Sequence, residues 1–171
     1  MSTSRQFPDE PRVGVGVVVL RPGPSPGAAA APQVLLIRRG KAPNKGMWSF
    51  CGGSLDLGET IVDCAVRETL EETGLRLRRR QGPGPLFSQD LQHPTAFAAA
   101  DVISRQGDGR LDFHYAIVEV AGVPEDPWRP PVAGDDADAA PWFSVASLRD
   151  LPDLVPQGAD VAEEAVRRFA L

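Results

Sequence analysis

Val13 to Leu20 (VGVGVVVL) is an apolar, β-branched run closed by RPGPSPG, and predicts a buried strand followed by a loop. Residues 22–32, rich in Pro, Gly and Ala, continue that loop and carry no expected function. Gln33 to Arg39 (QVLLIRR) predicts a second strand. A short one over Met47 to Phe50 then runs into Cys51-Gly52-Gly53 and a turn through Asp56-Leu57-Gly58. Ala96 to Ser104 and Leu111 to Val120 predict two strands of a hairpin around Gly107-Asp108-Gly109. Ala140 to Ser144 (APWFS) predicts one more, with Trp48 and Trp142 as core anchors.

The period changes over Thr60 to Thr73. Ile61, Val62, Ala65, Val66 and Thr69 fall on one arc at 100° per residue, and Gly74 supplies a C-terminal stop. A second amphipathic helix is expected from about Asp160 to Ala170. Hairpin-linked strands with two or three helices predict an α+β or mixed α/β fold. Its 171 residues suit a single domain, residues 1–171, with residues 1–11 flexible.

Charge and cysteine content narrow the function. Eighteen Lys plus Arg against 23 Asp plus Glu leave a net charge of −5, which argues against nucleic acid polymers and anionic membranes as partners. Cys51 and Cys64 form no CxxC and are too few to staple the domain. The N-terminal MSTSRQFPDEPR has no apolar signal-like run, and no stretch of 18 apolar residues occurs. A reduced, cytoplasmic protein is the expectation, with a cleaved organellar transit peptide as the alternative.

The chemistry concentrates in GGSLDLGETIVDCAVRETLEETGL, residues 52–75. On the 100° wheel Glu68 and Glu72 lie close together with Glu71 to the other side, so three carboxylates can converge. Like charges at these spacings destabilise a helix by about 0.2–0.5 kcal/mol per pair. Arg67, one turn from both Asp63 and Glu71, can bridge the two and neutralise part of that face. The remaining charge suits a hard divalent cation, Mg²⁺ or Mn²⁺, which prefers carboxylate and carbonyl oxygens. Gly52 and Gly53 permit a close backbone approach, so that a carbonyl there can join the carboxylates.

Gly53, Glu59, Arg67-Glu68, Glu71-Glu72, Gly74 and Leu75 stand in the register of the Nudix box, G-x5-E-x7-R-E-U-x-E-E-x-G-U with U aliphatic. The chain therefore resembles the Nudix hydrolase family, with Thr69 at one aliphatic position and Cys51 where the family usually has proline. The likeness continues through QVLLIRRGKAPNKGMWSF, FHYAIVEV and DDADAAPWFS. It implies the Nudix fold, an αβα sandwich around a mixed β-sheet, and Mg²⁺- or Mn²⁺-dependent hydrolysis of a nucleoside diphosphate linked to another moiety. By this resemblance Glu68, Glu72 and the Gly52 carbonyl are metal ligands, Glu71 is a further ligand or orienting group, and Gly53, Glu59, Arg67 and Gly74 are structural. The general base is a box glutamate, Glu71 or Glu72, or an acid among Asp135, Asp136 and Asp138, with Asp136 favoured.

Arg38 and Arg39 are candidates to bind a substrate phosphate. His93 and His114 show no ligand spacing, and the basic run at Arg76 and residues 78–80 reads as solvated. The flanking sequence resembles the ADP-ribose pyrophosphatase subgroup, which implies ADP-ribose as substrate and AMP and ribose 5-phosphate as products. Asp90 and Leu91 stand where that subgroup often carries proline. An oxidised nucleoside triphosphate or a dinucleoside polyphosphate is therefore the alternative substrate, and a non-catalytic nucleotide sensor the alternative role. The family habit also implies a homodimer.

Overall fold

The computed structural model describes residues 7–24, 31–80 and 88–169. Most of the predicted 22–32 loop, parts of the N-terminal segment and of the loop after Arg80, and Ala170 lie outside those residues.

The central element is β1, Arg12–Arg21, whose Val17 to Leu20 have no solvent exposure. On one edge it pairs in parallel with β7, Leu111–Gly122, with Gly16 opposite Glu119. On the other edge it pairs antiparallel with β5, Cys51–Ser54, with Gly16 opposite Gly52, and beyond that with β2, Gln33–Leu35. The predicted hairpin is present: β6, Thr95–Arg105, runs antiparallel to β7. Its turn places Gly109 at φ +83°, where glycine costs no Cβ strain.

The expected single strand Gln33 to Arg39 is two strands serving two sheets. β2 joins the central sheet, whereas β3, Ile37–Arg39, pairs with β4, Trp48–Ser49, and with β8, Ala137–Ala139. The break falls at Leu36, whose N–H donates to the carbonyl of Pro141 at 3.2 Å. Pro141 has no N–H to donate to a ladder, so it divides β8 from β9, Trp142–Ser144, at the same level. A 3₁₀ turn over Val145–Asp150, not predicted, follows β9 and buries Leu148.

Alternation along β1 divides the core between two faces. Val15, Val17 and Val19 pack with Cys64 and Ala65 of α1, Ile61–Thr73. Val18 and Leu20 pack with Ala162, Ala165 and Phe169 of α2, Gly158–Phe169. The result is an αβα sandwich with a mixed sheet. Among the described residues no helix is long and apolar enough to cross a membrane.

α1 begins at the N-cap Thr60, whose hydroxyl accepts the Asp63 N–H at 3.1 Å. It ends at Gly74, at φ +66°, whose N–H donates to Leu70 O at 2.9 Å. A Cβ on Gly74 would meet nothing closer than 3.8 Å. Gly74→Ala therefore adds only the conformational cost of a left-handed alanine, about 1 kcal/mol. Thermal unfolding should show Tm lowered by roughly 2–4 °C with the fold retained.

Candidate active site

Arg67 organises the N-terminal half of α1. Its Nε and Nη2 donate to Oε1 and Oε2 of Glu59 at 2.8 and 2.9 Å, a bidentate pair. Its Nη1 reaches Glu68 Oε1 at 2.6 Å and Glu71 Oε2 at 3.3 Å, and Nη2 also donates to the Ser54 carbonyl at 3.3 Å. These hydrogen bonds hold the Glu59 carboxyl down at about 2. Asp63 is not part of this bridge, contrary to expectation. It bonds the Thr60 hydroxyl at 2.5 Å and pairs with Arg79 at 2.8 Å, because its N-cap partner turns it toward the start of the helix.

Glu68 and Glu72 are buried, at 8% and 3% exposure. The helix rolls them toward β5. A Cβ on Gly53 would lie 2.1 Å from Glu68 Oε1, so only glycine leaves room for that carboxylate. A Cβ on Gly52, at φ +149°, would strike the Val15 carbonyl at 2.1 Å. The Gly52 N–H instead donates to Glu72 Oε2 at 2.8 Å. Burial raises Glu68, and raises Glu72 to about 7, with the Glu68 charge adding to the effect and the Gly52 hydrogen bond opposing it.

The carboxylates do not converge as the helical wheel suggested. Arg67 draws Glu68 and Glu71 to one side while Gly52 takes Glu72. Among the described residues, no three Asp, Glu, His or Cys side chains stand together as a ready metal cage. The donor set nonetheless fits a hard dication: two buried carboxylates resist ionisation, and a glycine turn is shaped around one of them.

The loop after β7 completes the site from far along the chain. The N–H groups of Val132 and Gly134 donate to Thr73 O and Glu72 O at 2.8 and 3.0 Å, using carbonyls that the end of α1 leaves free. Asp135, at φ +47°, and Asp136 are thereby brought to the rim of the acidic pair, where Asp135 pushes Glu68 upward and Asp136 does the same to Glu72. Lys41 forms an ion pair with Asp136. Asp138 lies against Gly40 instead, 3.0 Å from where that residue's Cβ would be.

Arg38 and Arg39 part company. Arg39 lines the cavity beside Glu72, its Nε held by the Pro43 carbonyl at 2.8 Å. Arg38, expected at the substrate, points outward on the next position of β3, with Nε on Gly46 O at 3.1 Å and its guanidinium 5.7 Å from the Trp48 ring. Cys51 and Cys64 are free thiols buried in the core, and burial raises both, Cys64 to about 12.

Arg39, Lys41, Arg67, Glu68, Glu71, Glu72, Asp135 and Asp136 border one cavity of about 690 Å³, within the range of small-ligand sites, whereas Arg38 and Asp138 do not. It runs from Gly52, Gly53, Glu68 and Glu72 along Gly14 and Gly16 of β1 to Tyr115, Ile117 and Glu119 of β7. Glu119 was not singled out from the sequence. The available signal was an acid at a position of an apolar alternating strand that faces the sheet interior.

A sandwich with one acidic helix laid against a Gly-Gly strand defines a class of folds built around that helix. The NUDIX domain family matches residues 10–168, and the chain belongs to it. It is 32% identical over 122 residues to the ADP-ribose pyrophosphatase of Methanocaldococcus jannaschii, covering 71% of this chain and 59% of that protein. Two solved structures share the fold. The NUDIX domain of Shewanella oneidensis NrtR complexed with ADP ribose matches at TM-score 0.67 and 16% identity, covering 94% of this chain and 90% of that one. The Francisella tularensis bifunctional NMN adenylyltransferase/ADP ribose pyrophosphatase complexed with AMP and Mn ion matches at TM-score 0.64 and 20% identity, covering 94% and 42%. The chain spans between 16% and 59% of the length of the curated relatives it matches.

Two expectations follow. Removing Arg67 as Arg67→Ala strands Glu59 and Glu68, and should cost about 2 kcal/mol after allowing for the arginine's partial exposure, with a chemical-denaturation cycle against Glu59→Gln showing strong coupling. The second concerns pH. Glu72 has a raised folded pKa, so its contribution is fully present below about 4.5 and is lost as pH rises through about 7. With chelator present, Glu72→Gln should gain stability relative to the parent between pH 5 and pH 8, on the order of 3 kcal/mol at most. Parallel stability curves for the two proteins would rule out that titration.

Proposed function

We propose that the protein is a divalent-metal-dependent pyrophosphohydrolase that cleaves the diphosphate of a nucleoside diphosphate linked to another group, with ADP-ribose as substrate and AMP and ribose 5-phosphate as products. The observation that carries this reading is the pair of buried carboxylates, Glu68 and Glu72, held against Gly52 and Gly53 at one end of a ligand-sized cavity. Such a pair is costly unless the protein binds positive charge there.

Glu68 and Glu72 would hold Mg²⁺ or Mn²⁺, with Glu71 and the Gly52 carbonyl completing the protein's share. A cation bound there neutralises the diphosphate and makes water a stronger acid. The chain's own groups do the rest. Arg67 fixes the Glu68 carboxylate from behind through two-point contact with Glu59. Arg39, at the cavity wall, offers a guanidinium to a phosphate oxygen. Glu71 and Glu72 are the carboxylates of the acidic helix placed to accept the proton of the attacking water. Asp136, ion-paired with Lys41 at the rim, is the candidate base outside the acidic helix. ADP-ribose is favoured as substrate by the archaeal relative named for that activity and by the neighbour that carries ADP ribose.

The test is product analysis by mass spectrometry with Mg²⁺ or Mn²⁺ across ADP-ribose, NADH, ADP-glucose, diadenosine polyphosphates and oxidised dNTPs. ADP-ribose should yield AMP and ribose 5-phosphate, and Glu72→Gln should lower kcat/KM by at least about 10²-fold. Inorganic pyrophosphate released from a triphosphate as the main reaction would move the substrate class. Tight binding of a nucleotide without turnover would identify a sensor.

A further inference from the structure

Glu119 is the third buried acid of the cavity, after Glu68 and Glu72, and nothing in the catalytic reading uses it. It is 6% exposed, and its Oε2 has no hydrogen-bond partner among the described residues. Buried polar atoms without partners are rare because each costs folding energy. This one borders a ligand cavity.

Its position follows from the sheet. Tyr115, Ile117 and Glu119 alternate onto the α2-facing side of β7 and line the cavity. Gly14 and Gly16 of the adjoining β1 have no side chains, which lets the side chains of β7 lie across the sheet. A Cβ on Gly14 would meet Ile117 Cδ1 at 2.6 Å, and one on Gly16 would meet Glu119 Oε2 at 2.4 Å. The register aligns Glu119 with Gly16 and Gly16 with Gly52. The Glu119 backbone thus lies two strand spacings from Gly52, about 10 Å, and its carboxyl reaches back over Gly16, about one spacing or 5 Å from Gly52.

We infer that Glu119 reads the nucleobase, accepting a hydrogen bond from the exocyclic amine of an adenine laid on the apolar wall of Tyr115 and Ile117, while the diphosphate lies at Gly52. The inference rests on the proposed nucleotide substrate. It adds a specificity residue outside the acidic helix. The apolar wall suits a planar ring, and the lone carboxyl provides the few-point polar contact by which such a pocket discriminates. Burial also raises Glu119 to about 7, so either form of the group can accept from the amine.

Calorimetric titration of the full chain in Mg²⁺ tests this with AMP, ribose 5-phosphate and purine riboside 5′-monophosphate, which lacks the amine. The parent should bind purine riboside 5′-monophosphate about tenfold more weakly than AMP. Glu119→Met, of similar shape but without polar atoms, should bind AMP about tenfold more weakly than the parent does and no better than the amine-free analogue, with ribose 5-phosphate affinity unchanged. Glu119→Gln should stay within about threefold of the parent for AMP. Relief of the unpartnered carboxyl should raise the Tm of Glu119→Met by roughly 3 °C. The inference falls if the parent binds the two purine nucleotides equally, if Glu119→Met binds AMP as the parent does, or if it loses AMP and ribose 5-phosphate alike. The parent comparison does not depend on any variant folding. Failure of the parent to hydrolyse ADP-ribose, with AMP discrimination intact, would overturn the substrate reading and leave the role of Glu119 standing.

Discussion

The constraint on which the site depends is the guanidinium of Arg67. A helix carrying Glu68, Glu71 and Glu72 on adjoining positions repels itself, and burial of two of the three makes the repulsion worse. Arg67 meets it by facing backward. Its two-point contact with Glu59 anchors it to the turn before the helix, and its remaining N–H groups reach Glu68, Glu71 and the Ser54 carbonyl. The turn, the end of β5 and the acidic face are thereby tied to one planar group. Lysine, with a single flexible ammonium, could not satisfy these partners in that geometry.

Glycine sets the second constraint, by subtraction. Gly53 leaves space for the Glu68 carboxylate, Gly52 passes close over the Val15 carbonyl, and Gly16 admits the Glu119 carboxyl. Each acid of the cavity that is buried beside the sheet thus sits where a backbone without a side chain makes room or offers an N–H. The Gly52 N–H does this for Glu72. Side chains at these positions would force the carboxyls outward into water, where their pKa values would return toward ordinary ones.

The box was legible because it is local. A capped helix, its stop at Gly74 and the register of Arg67 with Glu59 and Glu71 are all short-range relations that a helical period exposes. The rest was hidden by tertiary context. Residues 132–136 reach the site only because Val132 and Gly134 bond the end of α1, a contact spanning about sixty residues with no periodic trace. The division of Gln33 to Arg39 into two strands depends on Pro141, more than a hundred residues later. Periodicity placed Glu68 and Glu72 on one face of the helix but could not show that the approach of β5 buries them. Arg38 and Arg39 were equivalent in sequence, and the pleat of a three-residue strand separated them.

These buried acids also say something about what the fold was selected for. An αβα sandwich of this size gains nothing from carboxyls at Glu68, Glu72 and Glu119, since apolar residues of the same shape would pack without desolvation loss. Their shared location argues against accident: all three line one cavity, two at its glycine end and one across the sheet. A protein tolerates such a cost where a bound ligand removes it. The apolar halves of both core faces supply the surplus stability that makes the cost tolerable. The cavity is accordingly the place where local stability rules fail together.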